Sequence, residues 1–212
     1  MKVLRVFSFM ISIIDYGMGN LGSVKRKLDL IGTSSVITSD TELIRKSDKI
    51  ILPGVGHFAK AVSEIKIRGL WNLLSELVLV EKKPILGICL GMQLMAKFSE
   101  EGDSEGFGWF DARVVRFNVS DTKKFKVPHV GWNTLKITRD SQLINEIVPD
   151  SELYFVHSYH IRCDNPEDVL TETIYDYSFT SAIQKGNIFG VQFHPEKSHD
   201  VGEKVLRNFV GI

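Results

Sequence analysis

Cysteine is scarce in this chain: Cys89 and Cys163 are the only two among 212 residues. Two thiols so placed build no disulfide framework, and a reducing, cytoplasmic setting fits them. Charge of one sign is missing as well. Lysine and arginine number 26, aspartate and glutamate 26, and no basic block stands out. That balance points to no nucleic acid, no anionic membrane and no acidic polymer as partner. Metal-ligand spacing is also lacking: the six histidines are dispersed, and His157 and His160 lie on a strand-like segment rather than at helical i, i+4. No repeat, linker or low-complexity stretch divides the chain, so residues 1–212 read as one domain. One apolar run, Val6 to Ile14 behind Lys2 and Arg5, imitates a short signal peptide. No small-residue cleavage site follows it, and Asp15-Tyr16 ends it at once.

What is present is a core of ordinary size, 43% apolar and 25% charged, with strand-like and helix-like segments in alternation. Such alternation predicts α/β architecture, a mostly parallel sheet flanked by helices. Ile11–Ile14, Val36–Ile37, Lys49–Leu52 and Ile85–Ile88 read as strands. Leu21–Ile31 places Leu21, Val24, Leu28 and Ile31 at helical spacing. Lys60–Val80 reads as one or two helices broken near Gly69, and Leu90–Phe98 as a helix after the fourth strand. Beyond the glycine-rich loop Gly102–Gly108 the pattern turns to short strands: Ala112–Phe117, Thr134–Thr138, Leu153–Val156, His160–Cys163, Val169–Ile174 and Ser181–Ile183. These predict a β-rich insertion carried on the same core. Ile188–Phe193 returns to the main sheet, and Gly202–Phe209 closes as a helix.

Cys89 stands in Gly87-Ile88-Cys89-Leu90-Gly91-Met92-Gln93, between an apolar strand and a helical pattern. This is a nucleophile elbow, with cysteine flanked by glycines two residues away on each side. On so sharp a turn the central residue is forced toward positive φ, and crowding at the flanks admits only glycine. The following helix would aim its N–H groups and positive dipole end at the sulfur and favour thiolate. The bland alternative for any lone thiol is a small buried structural residue, which is how Cys163 reads.

A second pattern favours chemistry. The apolar stretch ending in Gln192-Phe193 runs into His194-Pro195-Glu196. A thiol needs an adjacent base, and the base needs an orienting group. Histidine at a strand end provides the first, and Glu196, past a rigid proline, can turn back to fix the tautomer. Both motifs fall at the C-terminal ends of predicted strands, where open α/β sheets hold ligands. The triad expected is Cys89, His194 and Glu196.

These two motifs resemble the class I (triad) glutamine amidotransferase family. Further segments narrow the resemblance to the branch serving as glutaminase subunits of imidazole glycerol phosphate synthases. They are Asp15-Tyr16-Gly17-Met18-Gly19-Asn20, Leu52-Pro53-Gly54-Val55-Gly56-His57-Phe58, Ser99-Glu100-Glu101-Gly102, Lys126 to Asn133, Tyr154 to Tyr159 and Gln192 to Ser198. They run in family order from about residue 10 to the end, so residues 1–9 exceed the pattern as an extension or a mis-chosen start.

The resemblance implies that Cys89 attacks the side-chain amide of glutamine and that His194 carries the proton to departing ammonia. The oxyanion would take the N–H of Leu90 and a donor from the loop Gly54-Val55-Gly56. Gly54, Gln93, Glu101, Ser158 and Tyr159 would hold glutamine, with Gln93 four past the cysteine on the same helix face. No cofactor is implied. Ammonia released to water is protonated and useless as a nucleophile, so the family mates this subunit with an acceptor-using (β/α)8-barrel synthase as a heterodimer with an ammonia passage. Met18, Asn20, Trp132, Tyr154 and Lys197 are the candidate contact residues; Trp132, expected in a loop, reads equally as a core aromatic. The acceptor stays open. A cyclase in histidine biosynthesis is one choice, and a synthase that amidates or amidinates a surface-polysaccharide sugar is the other, kept in view by Gly108-Trp109 and His199. A non-catalytic scaffold would predict a broken triad, and a stand-alone cysteine hydrolase would need no partner.

Overall fold

A computed structural model describes residues 9–148 and 150–212. The expected extension lies outside the described residues, apart from Phe9. Consecutive apolar residues at Ile13-Ile14, Ile50-Ile51-Leu52 and Ile85-Leu86 give these strands a hydrophobic side chain on each face. Both faces of the sheet must therefore be covered. The chain covers them as it alternates. It passes from β1 (Ile11–Ile14) through α1 (Leu21–Leu30) to β2 (Ser35–Thr38), then through α2 (Thr41–Lys46) to β3 (Lys49–Gly54). Two helices, α3 (Phe58–Ile67) and α4 (Leu70–Ser75), precede β4 (Ile85–Cys89), and Gly69 between them has φ +70°. The α3 and α4 side chains pack with Ile14, Ile50, Leu52 and Ile85 in one core, while Val24 and Leu28 of α1 pack with Ile11, Ile13, Ile51 and Leu86 in the other.

After β4 comes a departure from the sequence pattern. The helix expected over Leu90–Phe98 is a single turn, α5 (Leu90–Gln93), followed by β5 (Ala96–Ser99). The reason lies in the carbonyls of Leu94, Met95, Ala96 and Lys97, which accept N–H groups from Phe107, Phe110, Gly108 and Gly106. Gly106 permits that approach, because a Cβ there would meet the carbonyl oxygens of Ala96 and Leu94. Long-range backbone pairing thus replaces the helix.

The remaining strands are β6 (Ser104–Glu105), β7 (Phe110–Arg116), β8 (His129–Thr134), β9 (Lys136–Ile137), β10 (Glu152–His157), β11 (Tyr159–Cys163), β12 (Val169–Tyr175), β13 (Tyr177–Lys185) and β14 (Ile188–Val191). Helix α6 (His199–Gly211) closes the chain and buries Val205, Leu206 and Phe209 beside α1's face of the sheet. Among the described residues the main sheet has eight strands in the order β2-β1-β3-β4-β14-β13-β12-β9. It is parallel from β2 to β14 and antiparallel from there to β9. The expected β-rich insertion is therefore not a unit apart. Three of its strands extend the main sheet, β5, β6, β7 and β11 form a second sheet, and β8 pairs with β10. The strand expected at Thr134–Thr138 is split and shifted, so Trp132 sits on β8 rather than in a loop. The sequence pattern also passes over α2, whose start is capped by Asp40 accepting from the N–H groups of Glu42 and Leu43 at 2.8 and 3.0 Å.

Candidate active site

Cys89 ends β4 with φ +53°, a conformation an L-residue adopts only under constraint. The flanking glycines supply the constraint. A Cβ on Gly91 would fall onto the Leu52 carbonyl oxygen, and one on Gly87 would sit 2.7 Å from the Gly91 carbonyl and the Met92 nitrogen. The turn is packed backbone to backbone, which leaves the cysteine side chain one way out. Its neighbours in the sheet are β3, where Gly54 pairs with Cys89, and β14, where Val191 pairs with Ile88. One strand end delivers the Gly54-Val55-Gly56 turn beside the sulfur, and the other delivers Gln192 through Glu196. Helix α5, expected to aim its dipole at the sulfur, is a single turn of four residues.

His194 and Glu196 are brought together by the single helical turn Pro195–Lys197. Nδ1 of His194 lies 2.8 Å from Oε1 of Glu196, and both side chains are buried. The His194 backbone is clamped as well. Its N–H donates to the Tyr154 carbonyl at 2.9 Å, and its carbonyl accepts from Ser198 Oγ at 2.6 Å. Burial alone works against the imidazolium. Its contacts with Cys89 and with the Glu196 carboxylate outweigh burial and raise the His194 pKa to about 10. Nε2 of His194 has no hydrogen-bond partner among the described residues. The ring is thus fixed at one nitrogen and free at the other, as proton transfer at a reacting centre requires.

A cavity of about 430 Å³ opens over Cys89. Val55, Gly56, Leu90, Gln93, Glu101, Ser158 and Tyr159 all line it, as does Lys197. Gly54 does not. It lies beneath, where a Cβ would press on the Tyr16 hydroxyl and come 2.9 Å from Leu90 Cβ. Val55 is 41% exposed, and Gly56 beside it has φ +106° and packs on Met18. Glu101 accepts from the Phe58 N–H at 2.8 Å and so ties the cavity wall to the start of α3. Gln93 donates to the Tyr159 carbonyl and to Gln192 Oε1, both at 2.9 Å.

Of the contact candidates, Trp132, Tyr154 and Lys197 form one cluster. Trp132 is 42% exposed, stacks on His199 with centroids 4.9 Å apart and meets Tyr154 edge-on at 5.7 Å. Lys197 Nζ stands 5.4 Å from the Tyr154 ring centroid. Asn20 stands at the start of α1, where its Oδ1 accepts from Ser23 Oγ at 2.9 Å.

Three residues of the site escaped the sequence reading. Gln192 is fully buried, with Nε2 3.5 Å from Cys89 Sγ. His157 lines the cavity and shares a 3.1 Å hydrogen bond with His129. Tyr16 buries a hydroxyl that finds no partner among the described residues. A polar side chain closing an otherwise apolar strand just before His194 was the available signal for Gln192. The histidines carried none, since their pairing joins residues 28 apart in the chain.

The arrangement suits acyl transfer from a small amide: a thiol at a strained turn, an imidazole held by a carboxylate, and a cavity lined by the Val55-Gly56 turn and Leu90. Comparison with known proteins agrees. The glutamine amidotransferase class-I family profile matches residues 12–211. "Imidazole glycerol phosphate synthase subunit HisH 2" of Methanococcus maripaludis is 49% identical over 95% of this chain and 98% of its own. "Imidazole glycerol phosphate synthase subunit HisH" of Sulfurimonas denitrificans is 48% identical over 94% and 97%. Among solved structures, PurLQS from Thermotoga maritima superposes with a TM-score of 0.71 at 17% identity, covering 96% of this chain and 98% of that one, a likeness of fold. The chain belongs to the class-I glutamine amidotransferase family.

Proposed function

We propose that this chain is the glutaminase subunit of an imidazole glycerol phosphate synthase, and that it hands ammonia to a cyclase subunit in histidine biosynthesis. Full-length identity near one half to relatives bearing that subunit name carries the reading. The Cys89–His194–Glu196 geometry supports it from the chemical side.

In this reading the Cys89 thiolate adds to the amide carbon of glutamine, and the former carbonyl oxygen becomes an oxyanion. The N–H of Leu90 and a peptide N–H of the Val55-Gly56 turn receive that charge. Imidazolium His194 gives its proton to the amide nitrogen, the C–N bond breaks, and ammonia leaves behind a thioester. Neutral His194 then takes a proton from water, which adds to the thioester and expels the Cys89 sulfur with glutamate. Glu196 keeps the imidazole in its tautomer and offsets its charge throughout. Gln93, Glu101, Ser158 and Tyr159 hold the substrate. The partner is a (β/α)8-barrel cyclase that covers Met18, Asn20 and the Trp132–Tyr154–Lys197 cluster, so that ammonia passes without meeting bulk water. Residues 1–212 act as one glutamine amidotransferase domain.

The test is glutamine hydrolysis by the purified chain with and without the cyclase subunit and its acceptor ligand. The exposed Val55 turn predicts slow turnover alone and a rise of about 100-fold or more in the loaded complex, the scale of gaining one oxyanion donor. Full activity in the isolated chain would make it a stand-alone hydrolase. Stimulation by a sugar-modifying synthase and not by the cyclase would keep the chemistry and replace the pathway.

A further inference from the structure

Gln192 is buried between the end of β14 and His194, among Val191, Phe193 and the sulfur of Cys89. A primary amide there can present either its oxygen or its nitrogen to the sulfur, and its neighbours decide which. The decision starts at the Tyr159 carbonyl, which can only accept. It receives His157 Nδ1 at 2.8 Å and Gln93 Nε2 at 2.9 Å. Gln93 Nε2 spends its second proton on Gln192 Oε1 at 2.9 Å. Turning Gln93 over would set its oxygen against two acceptor oxygens. Turning Gln192 over would set two amide nitrogens against each other. Either flip exchanges hydrogen bonds for repulsion inside a low-dielectric site.

The histidines tighten this lock. With Nδ1 of His157 donating, its Nε2 accepts from His129 Nδ1 at 3.1 Å. Burial keeps both rings neutral, so neither competes as a cation for the Tyr159 carbonyl or for the sulfur. What remains for the sulfur is Gln192 Nε2, at 3.5 Å.

We propose that Gln192 is a further residue of the reaction, whose side-chain N–H, oriented through Gln93 and the Tyr159 carbonyl, donates to the Cys89 sulfur and holds it charged and aimed at the substrate carbon. The proposal rests on Cys89 being the nucleophile. The contact strengthens whenever charge sits on sulfur, in the resting thiolate and again as sulfur leaves the thioester, and weakens in the thioester itself. It therefore favours both ends of the acylation cycle without adding a chemical step.

The experiment uses Gln192→Met and Gln192→Glu, each as the full chain in complex with its synthase subunit, beside Cys89→Ala. Three quantities are read: kcat and KM for glutamine, ammonia-dependent synthase activity, and the pH profile of Cys89 alkylation by iodoacetamide. Gln192→Met should lower kcat and the alkylation rate at neutral pH by about 10- to 100-fold, the scale of a hydrogen bond to a charged group, with KM changed less than about threefold. Gln192→Glu sets an anion beside the sulfur and should move the alkylation midpoint to higher pH. Ammonia-dependent activity should stay at the wild-type level in both. A side chain that merely fills space would change the unfolding temperature and leave the alkylation profile alone; that result, or a loss confined to KM, overturns the proposal. Should Gln192→Met not fold, the alkylation midpoint of the nearly isosteric Gln192→Glu decides alone. If Cys89→Ala still hydrolyses glutamine, the nucleophile assignment falls and the proposal with it. If Cys89→Ala is inactive while both Gln192 variants match wild type, the proposal alone falls.

Discussion

Two groups of buried histidines share this fold and behave in opposite ways. His194 is in contact with Cys89 and Glu196, and together they raise its pKa to about 10 against the pull of burial. His129, His157 and His160 surround Phe117 and Phe179, with each other and aromatic rings as neighbours. There desolvation is the largest influence and pushes all three down, His129 to about 4. The difference teaches that burial alone makes a neutral, structural histidine. A charged one inside a protein has to be built by placing a carboxylate against the ring, as Glu196 does at Nδ1 of His194. In the proposed reaction His194 moves the proton, whereas His157 bonds the Tyr159 carbonyl and His129.

The comparison breaks most sharply at Glu196. Glu196→Gln keeps the shape and a hydrogen bond to Nδ1 but removes the charge, leaving His194 closer to the other three. Glutaminase kcat in the synthase complex should fall by about 10³- to 10⁴-fold, the scale seen when a triad carboxylate becomes an amide. Ammonia-dependent activity should be spared. A loss of less than tenfold would mean that the carboxylate does not set the imidazole's charge.

Acid sharpens the contrast from the other side. Each of the three lowered histidines binds its proton in the unfolded chain, near pH 6.5, before it does so in the folded one. Their stabilising effect is therefore complete above pH 6.5 and is lost as pH falls toward about 4, His129's value. Each adds a slope of about 1.4 kcal/mol per pH unit within its window. His194 runs oppositely: with its folded value raised, its contribution is complete below pH 6.5 and is lost as pH climbs to about 10. Denaturant unfolding at pH 7, 6 and 5 reads the acid limb, and a flat profile there would show that the three rings bind protons alike in the folded and unfolded chain.

The two cysteines repeat the lesson on a smaller scale. Burial, then Asp168 and Asp164, push the Cys163 thiol up to about 12, so it stays protonated and inert at neutral pH. Cys163→Ser should leave kcat unchanged and shift stability by less than about 1 kcal/mol. A thiol-directed glutamine analogue should then abolish activity with equal stoichiometry in wild type and variant.

Much of this was legible where a residue type had few alternatives. Gly87 and Gly91 announce the turn at Cys89, since a Cβ at either would meet backbone. Consecutive isoleucines and leucines mark β1, β3 and β4 as strands buried on both faces. Legibility ended where distant backbone competes with local propensity. Leu90–Phe98 has a helical pattern, yet its carbonyls are taken by residues 106–110. Trp132, expected in a loop, lies in a strand because its segment pairs with β10. Asp40 was a readable cap that went unread. The charge states of the histidines were beyond reach, because neighbours from four or more strands determine them.

The most direct measurement is a nitrogen-15 NMR titration of the histidine side chains in wild type and in Cys89→Ala. In wild type His194 should keep both ring protons until the pH approaches about 10, while His129 and His157 stay neutral at pH 6. Cys89→Ala, which removes the sulfur that raises the His194 pKa, should bring the His194 transition down and leave the other two neutral at pH 6. A wild-type His194 that loses its proton near pH 6.5, unaffected by Cys89→Ala, would contradict the thiolate–imidazolium pair on which the account rests.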